Sequence, residues 1–200
     1  FLAAELLRLG VEPARIAIVG DDPNELETAL REGLEADLCL TSGGLGPTHD
    51  DRTVELVARA AGRELIVDPA LDAEIEAISR SVAERLNRPY TDFAEGVRKQ
   101  ATLPKGALVV GIAGTAPALA LETPAGAAVV LPGPPSELRR LWPLALESAP
   151  VRPVLARARE PERRVLRFYG ASESEIARSL AESGGEGDGA YEAMKRQVTD

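Results

Sequence analysis

Thr41-Ser42-Gly43-Gly44-Leu45-Gly46-Pro47-Thr48-His49-Asp50-Asp51-Arg52-Thr53 is the stretch that decides the fold of this chain. Before it, Asp37-Leu38-Cys39-Leu40-Thr41 is an apolar run of strand length. After it, Val54, Leu56, Val57, Ala60 and Ala61 recur at helical spacing from Thr53 to Ala61, and Gly62 ends the pattern. A buried strand that turns through glycines into a helix is a unit of layered α/β folds. The same turn suits an anion. Glycines let backbone N–H groups come close to a phosphate, and the helix N-terminus adds favourable partial charge. The glycines alone are as consistent with a tight turn and nothing more.

Thr41, Ser42, Gly43, Gly44, Leu45, Gly46 and Thr48 are the candidate phosphate-binding residues of this loop. Asp50 and Asp51 add paired carboxylates where a bare phosphate would disfavour them. They make sense if they hold Mg²⁺ or a similar divalent cation, or if one activates a nucleophile. Both are therefore candidate catalytic and metal-ligating residues. Capping of the following helix is the structural alternative. We expect Asp51 to carry the chemistry and Asp50 to cap.

Working outward, Arg15-Ile16-Ala17-Ile18-Val19-Gly20 reads as a strand, followed by a helix with Asp22 as N-cap and Pro23 in its first turn. Phe1 to Gly10 reads as the later part of a helix. Leu65–Val67 is a short strand, and Leu71, Ile75, Ile78, Val82 and Leu86 mark a long helix that stops before Pro89. Ala107–Val110, Ala118–Leu121 and Ala127–Leu131 read as strands, and Leu138, Leu141, Trp142 and Leu146 line a helix beyond Pro132-Gly133-Pro134-Pro135. Strands alternating with helices predict an α/β, three-layer αβα sandwich with a mainly parallel sheet over residues 1–149. Residues 150–200 read as a Pro/Arg/Glu-rich linker and part of a small α+β domain. Val165–Tyr169 is its strand, and Ser172-Glu173-Ser174-Glu175 opens its helix as a capping box.

Two further clusters could share a crevice with the loop. Arg98 and Lys99 are adjacent cations near an expected turn, and Gly114-Thr115 lies downstream. Pro132, Gly133 and Ser136 repeat the pattern of a Gly/Pro turn with a hydroxyl at a helix start. Loops after strand C-termini line one crevice in open α/β sheets. His49, a lone histidine, reads as a loop or ligand-contact residue, while Cys39 and Trp142 read as core.

The formal net charge of −9 and pI near 4.8 weigh against nucleic acid as a partner. No apolar run is long enough to span a bilayer, so no membrane partner is expected. One cysteine excludes an internal disulfide and fits a reducing cytoplasm. The ends read as cut, so the chain is expected to be a fragment.

The four segments Thr41–Thr53, Arg98-Lys99-Gln100-Ala101, Gly114-Thr115-Ala116-Pro117 and Leu131–Glu137, in this order, resemble the molybdopterin-binding domain family of MoaB/Mog type. Within it they look most like the N-terminal domains of CinA-type (competence/damage-inducible) proteins. The resemblance covers most of the first three-quarters of the chain. It implies a nucleotide- or pterin-phosphate pocket, a homo-oligomer, and metal-dependent hydrolysis of a pyrophosphate such as ADP-ribose. The other branch of the family implies adenylyl transfer to molybdopterin; a non-catalytic nucleotide-binding module is a third reading. It also implies an opening strand and a Gly-Thr-Glu segment ahead of Phe1. Ser42 stands where the family has a second Thr, and Ala118 where a Gly commonly follows Gly-Thr-Ala-Pro.

Overall fold

The computed structural model describes residues 1–158, 169–170 and 172–182. The chain divides into two compact units, Phe1–Pro161 and Glu162–Asp200. The first unit begins with α1 (Leu2–Arg8) and α2 (Pro23–Gly33). Asp22 caps α2 as its sequence predicts, its carboxylate accepting from the N–H groups of Asn24 and Glu25 at 2.9 and 3.1 Å. There follow β1 (Leu38–Ser42), α3 (Thr53–Ala60), β2 (Leu65–Val67), α4 (Pro69–Arg85), α5 (Thr91–Gln100), β3 (Thr102–Pro104), β4 (Leu108–Ala113), β5 (Ala116–Glu122), β6 (Ala127–Leu131), α6 (Pro135–Leu146) and α7 (Arg152–Leu155).

The main sheet has the order β1-β6-β5-β4, and β2 and β3 form a separate antiparallel pair. The sheet is mixed. β1 runs parallel to β6, whereas β6 pairs with β5, and β5 with β4, in antiparallel fashion. Two reversals leave β4 pointing the same way as β1 and β6, so the C-terminal ends of all three open at one edge. That edge carries the site.

Alternation within β5 and β6 separates the two cores. Leu119, Leu121, Ala128 and Val130 face one side, where they pack with Leu30 of α2, Leu56 and Val57 of α3, Leu71 and Ile75 of α4 and Val97 of α5. Ala118, Ala120, Ala127, Val129 and Leu131 face the other, against Leu6, Leu138, Leu141, Trp142 and Ala145. Burial on both faces gives three layers and explains the uninterrupted apolar runs. Cys39 and Trp142 are core residues, as expected; burial pushes the Cys39 thiol up.

One expected strand is corrected. Arg15–Gly20 forms no ladder, and Ile16 and Ile18 are 74% and 101% exposed. An apolar β-branched run becomes a strand only with a hydrogen-bonded neighbour, and among the described residues β1 pairs with β6 alone. The segment instead borders a hollow of about 450 Å³ shared with Asn24, Glu25, Thr28, Ala29 and Glu32 of α2. Helix α5 and strand β3 had no sequence expectation, and α7 lies inside the stretch read as a linker. Val151 and Val154 of that stretch are buried in the second core.

In the second unit, α8 (Glu173–Glu182) begins with the expected capping box. The Ser172 N–H donates to Glu175 Oε2 at 2.8 Å, and the Glu175 N–H donates back to Ser172 Oγ at 3.3 Å. The strand expected over Val165–Tyr169 falls, but for Tyr169, outside the described residues.

Candidate functional site

The loop between β1 and α3 is built from backbone up. Gly43 and Gly44 lie in the left-handed region, at φ of 101° and 68°, which turns the chain away from β1 without side-chain strain. The Gly43 N–H extends the β1–β6 ladder by donating to the Leu131 carbonyl at 2.9 Å, and Ser42 Oγ donates to the Pro132 carbonyl at 3.1 Å. A Cβ on Gly133 would sit 3.4 Å from Gly43 Cα, so the loops after β1 and β6 touch backbone to backbone. Gly114, at φ 63°, turns β4 into β5 beside Glu137, in the first turn of α6.

The far half of the loop is closed by Asp51. Its Oδ2 accepts from the Thr48 N–H at 3.1 Å and from Thr48 Oγ1 at 2.6 Å, while the Asp51 N–H donates to the Thr48 carbonyl at 3.1 Å. Helix α5 holds the loop from the side. Lys99 Nζ donates to the Thr48 carbonyl, and Gln100 Nε2 donates to the Leu45 carbonyl at 2.9 Å. Gly96 allows this approach, since a Cβ there would lie 2.5 Å from Pro47 Cβ.

What remains open is a run of amides. Gly44, Leu45 and Gly46 donate to no acceptor among the described residues, and α3 has no side-chain cap at its N-cap residue Arg52. Unpaired N–H groups in a glycine-rich loop after a strand are candidates to receive an anion.

The structure thus brings Thr41, Ser42, Gly43, Gly44, Gly46, Thr48, Asp51, Lys99, Pro132 and Gly133 into one region, with Gly114 and Thr115 at the same sheet edge. Arg98 is exposed in the last turn of α5, and no hydrogen bond joins its side chain to the loop. Several expected roles change. Leu45 packs in the first core at 5% exposure, so its side chain is not available to a ligand. Asp50 does not cap α3, whose N-cap is Arg52. Ser136 is not an N-cap either, because α6 starts at Pro135 behind Pro134. The Ala118 methyl faces the second core, so its departure from the family pattern does not crowd the loop. Gln100 is a loop-holding residue that its sequence motif does not announce. The one signal for it is its place three residues after Val97, on the inward face of α5.

Asp50 is exposed and held below the ordinary carboxylate range, first by the Thr48 hydroxyl and then by backbone hydrogen bonding, with attraction from His49 and Lys99. The hydroxyl has one proton and its 2.6 Å contact is with Asp51, so the two acids compete for it. A depressed carboxylate favours the folded state above the ordinary Asp range, and that contribution is lost as pH falls through the folded value. We expect Thr48→Val to move the Asp50 titration upward, followed by carboxyl ¹³C NMR; an unmoved midpoint would reject the hydroxyl as its cause.

Among the described residues no group of three or more His, Cys, Asp and Glu gathers as a metal-holding cluster. Asp50 and Asp51 fit a different demand. Mg²⁺ binds through one or two carboxylates together with substrate phosphates and water. Asp50, exposed and held in the ionised form, and the Asp51 Oδ1, which carries no hydrogen bond among the described residues, are the donors this stretch could offer to such an ion.

Residues 1–156 match the family model described as a probable molybdopterin binding domain. A CinA-like protein of Mycobacterium leprae is 43% identical over 186 residues, covering 92% of this chain and 43% of the relative. The CinA-like protein of Mycobacterium tuberculosis is 42% identical over 189 residues, covering 92% and 44%. This chain therefore spans under half the length of these curated relatives. Among solved structures, the protein CinA of unknown function from Thermoplasma acidophilum superposes with a TM-score of 0.61 at 32% identity, covering 73% of this chain and 82% of that one. No helix among the described residues is long and apolar enough to cross a membrane.

Proposed function

The chain belongs to the molybdopterin-binding domain family, and from that premise we propose that its loop binds the phosphates of a nucleotide or pterin and hydrolyses a nucleotide pyrophosphate such as ADP-ribose. The observation that carries this reading is the run of unpaired amides from Gly44 to Gly46 in the loop that leads to α3, whose N-cap residue makes no side-chain cap. Those N–H groups offset phosphate charge as it develops during displacement. Lys99, bonded to the Thr48 carbonyl, brings positive charge to the loop, and Arg98, exposed beside it in the last turn of α5, would add to it. Asp50 and Asp51 would hold Mg²⁺, which when bound supplies Lewis-acid polarisation of the phosphoryl oxygens and lowers the pKa of a bound water. Asp51 is anchored through its Oδ2 to Thr48, which leaves Oδ1 for the ion. Water adds to phosphorus, the bridging P–O bond breaks, and AMP and ribose 5-phosphate leave.

The test uses the full-length protein with ADP-ribose and Mg²⁺, with AMP followed by chromatography. Steady AMP release is expected. No AMP under any divalent cation, together with adenylylation of molybdopterin from ATP, would replace this reading with the transferase one. Tight nucleotide binding without any product would leave a binding module.

A further inference from the structure

We infer that Gln100 is a positioning residue that aims the anion-binding amides of the β1–α3 loop; this rests on the phosphate-binding reading above. Its side chain is buried, and Nε2 donates to the Leu45 carbonyl at 2.9 Å. The partner is a carbonyl, which only accepts, so the NH₂ end of the side chain faces it. No peptide bond in the described chain is cis. In a trans peptide the carbonyl and the following N–H point to opposite sides of the chain. Gripping the Leu45 carbonyl from the α5 side therefore directs the Gly46 N–H away from α5.

The same device recurs on both sides of Gln100's grip. The Thr53 N–H holds the Gly44 carbonyl at 3.2 Å, which sets the Leu45 N–H. Lys99 Nζ holds the Thr48 carbonyl, which sets the His49 N–H. Lys99 thus orders the backbone in addition to bringing a charge. Gln100 is the buried member of this set, and losing it would leave the Leu45 carbonyl without a donor in a desolvated place. Left-handed glycines at 43 and 44 supply no stiffness of their own, so the loop depends on these grips for its shape.

The experiment compares wild type with Gln100→Met, similar in length but without a donor. Amide ¹⁵N order parameters at residues 44, 45, 46 and 48 are measured in ligand-free protein, and inorganic pyrophosphate is titrated by calorimetry. The loop order parameters should fall from about 0.85 to below about 0.6 while those of β6 stay unchanged, and pyrophosphate should bind about five- to tenfold more weakly. Unchanged loop order parameters in a folded Gln100→Met protein overturn the inference, whatever the titration gives. If that variant does not fold, Lys99→Met, at the edge of the same device, is read at the His49 amide instead. There, a lowered order parameter that Lys99→Arg restores supports the device, and an unchanged one overturns it. Wild-type protein that binds no pyrophosphate strikes the proposed function alone, and the order parameters still decide Gln100.

Discussion

Gly44→Ala should cost about 2–5 kcal/mol of stability and remove phosphate binding. Two penalties add. At φ 68° an alanine pays the left-handed cost of roughly 1–2 kcal/mol. Its methyl would also meet Thr53 Oγ1 at 2.2 Å and Thr53 Cβ at 3.2 Å. Thr53 is 7% exposed and its N–H is bonded to the Gly44 carbonyl, so it has nowhere to retreat. Overpacking of this kind costs typically ~1–3 kcal/mol. Urea denaturation gives the stability, and pyrophosphate calorimetry gives the binding. Gly43→Ala is the control, since nothing lies within 4 Å of a Cβ there and only backbone strain remains. Thr53→Ala in the Gly44→Ala background should recover part of the loss by removing the closer contact. A Gly44→Ala protein within about 0.5 kcal/mol of wild type would refute the packing account.

The second large effect concerns Asp51, where structure and chemistry have to be separated. Asp51 accepts two hydrogen bonds from Thr48, and a Cβ on Gly46 would lie 2.3 Å from its Oδ2. Asp51→Ala removes both bonds, so about 1–2 kcal/mol of stability is lost along with activity. Asp51→Asn keeps an oxygen that can accept from Thr48 but abolishes the charge. Its stability should stay within about 1 kcal/mol of wild type, yet AMP release should fall by a factor on the order of 10²–10⁴, as expected when a positioned ionised group is lost. An Asp51→Asn protein that hydrolyses at the wild-type rate would confine Asp51 to holding the loop shut.

Much of the layered fold was legible because its signals are local. Ala118–Leu121 and Ala127–Leu131 announce buried strands by composition, and Asp22-Pro23 marks a helix start whatever surrounds it. Arg15–Gly20 failed because a strand is a relation between two segments, and its own residues cannot supply the second. Helix α5 escaped notice for a different reason. Gly96 interrupts its apolar stripe, and that glycine is explained only by the approach of Pro47 from far away in sequence. The same holds in the site. Residue types identified the loop, but Gln100's part depends on where the Leu45 carbonyl points. The turn residues Asp50 and Ser136 look like caps by type, yet α3 and α6 begin elsewhere.

The parallel pairing of β1 with β6 has a consequence for how the pocket comes into being. Thr41 bonds to Val129 across 88 residues of chain, and Ser42 to Pro132 across 90, whereas β4, β5 and β6 follow one another through short turns. Closing so long a span costs more chain entropy than joining neighbours, and non-local parallel pairing is intrinsically slow. The meander has every reason to assemble ahead of β1. Pro132 and Gly133 meet the loop only across that seam, so the pocket is completed when β1 joins β6.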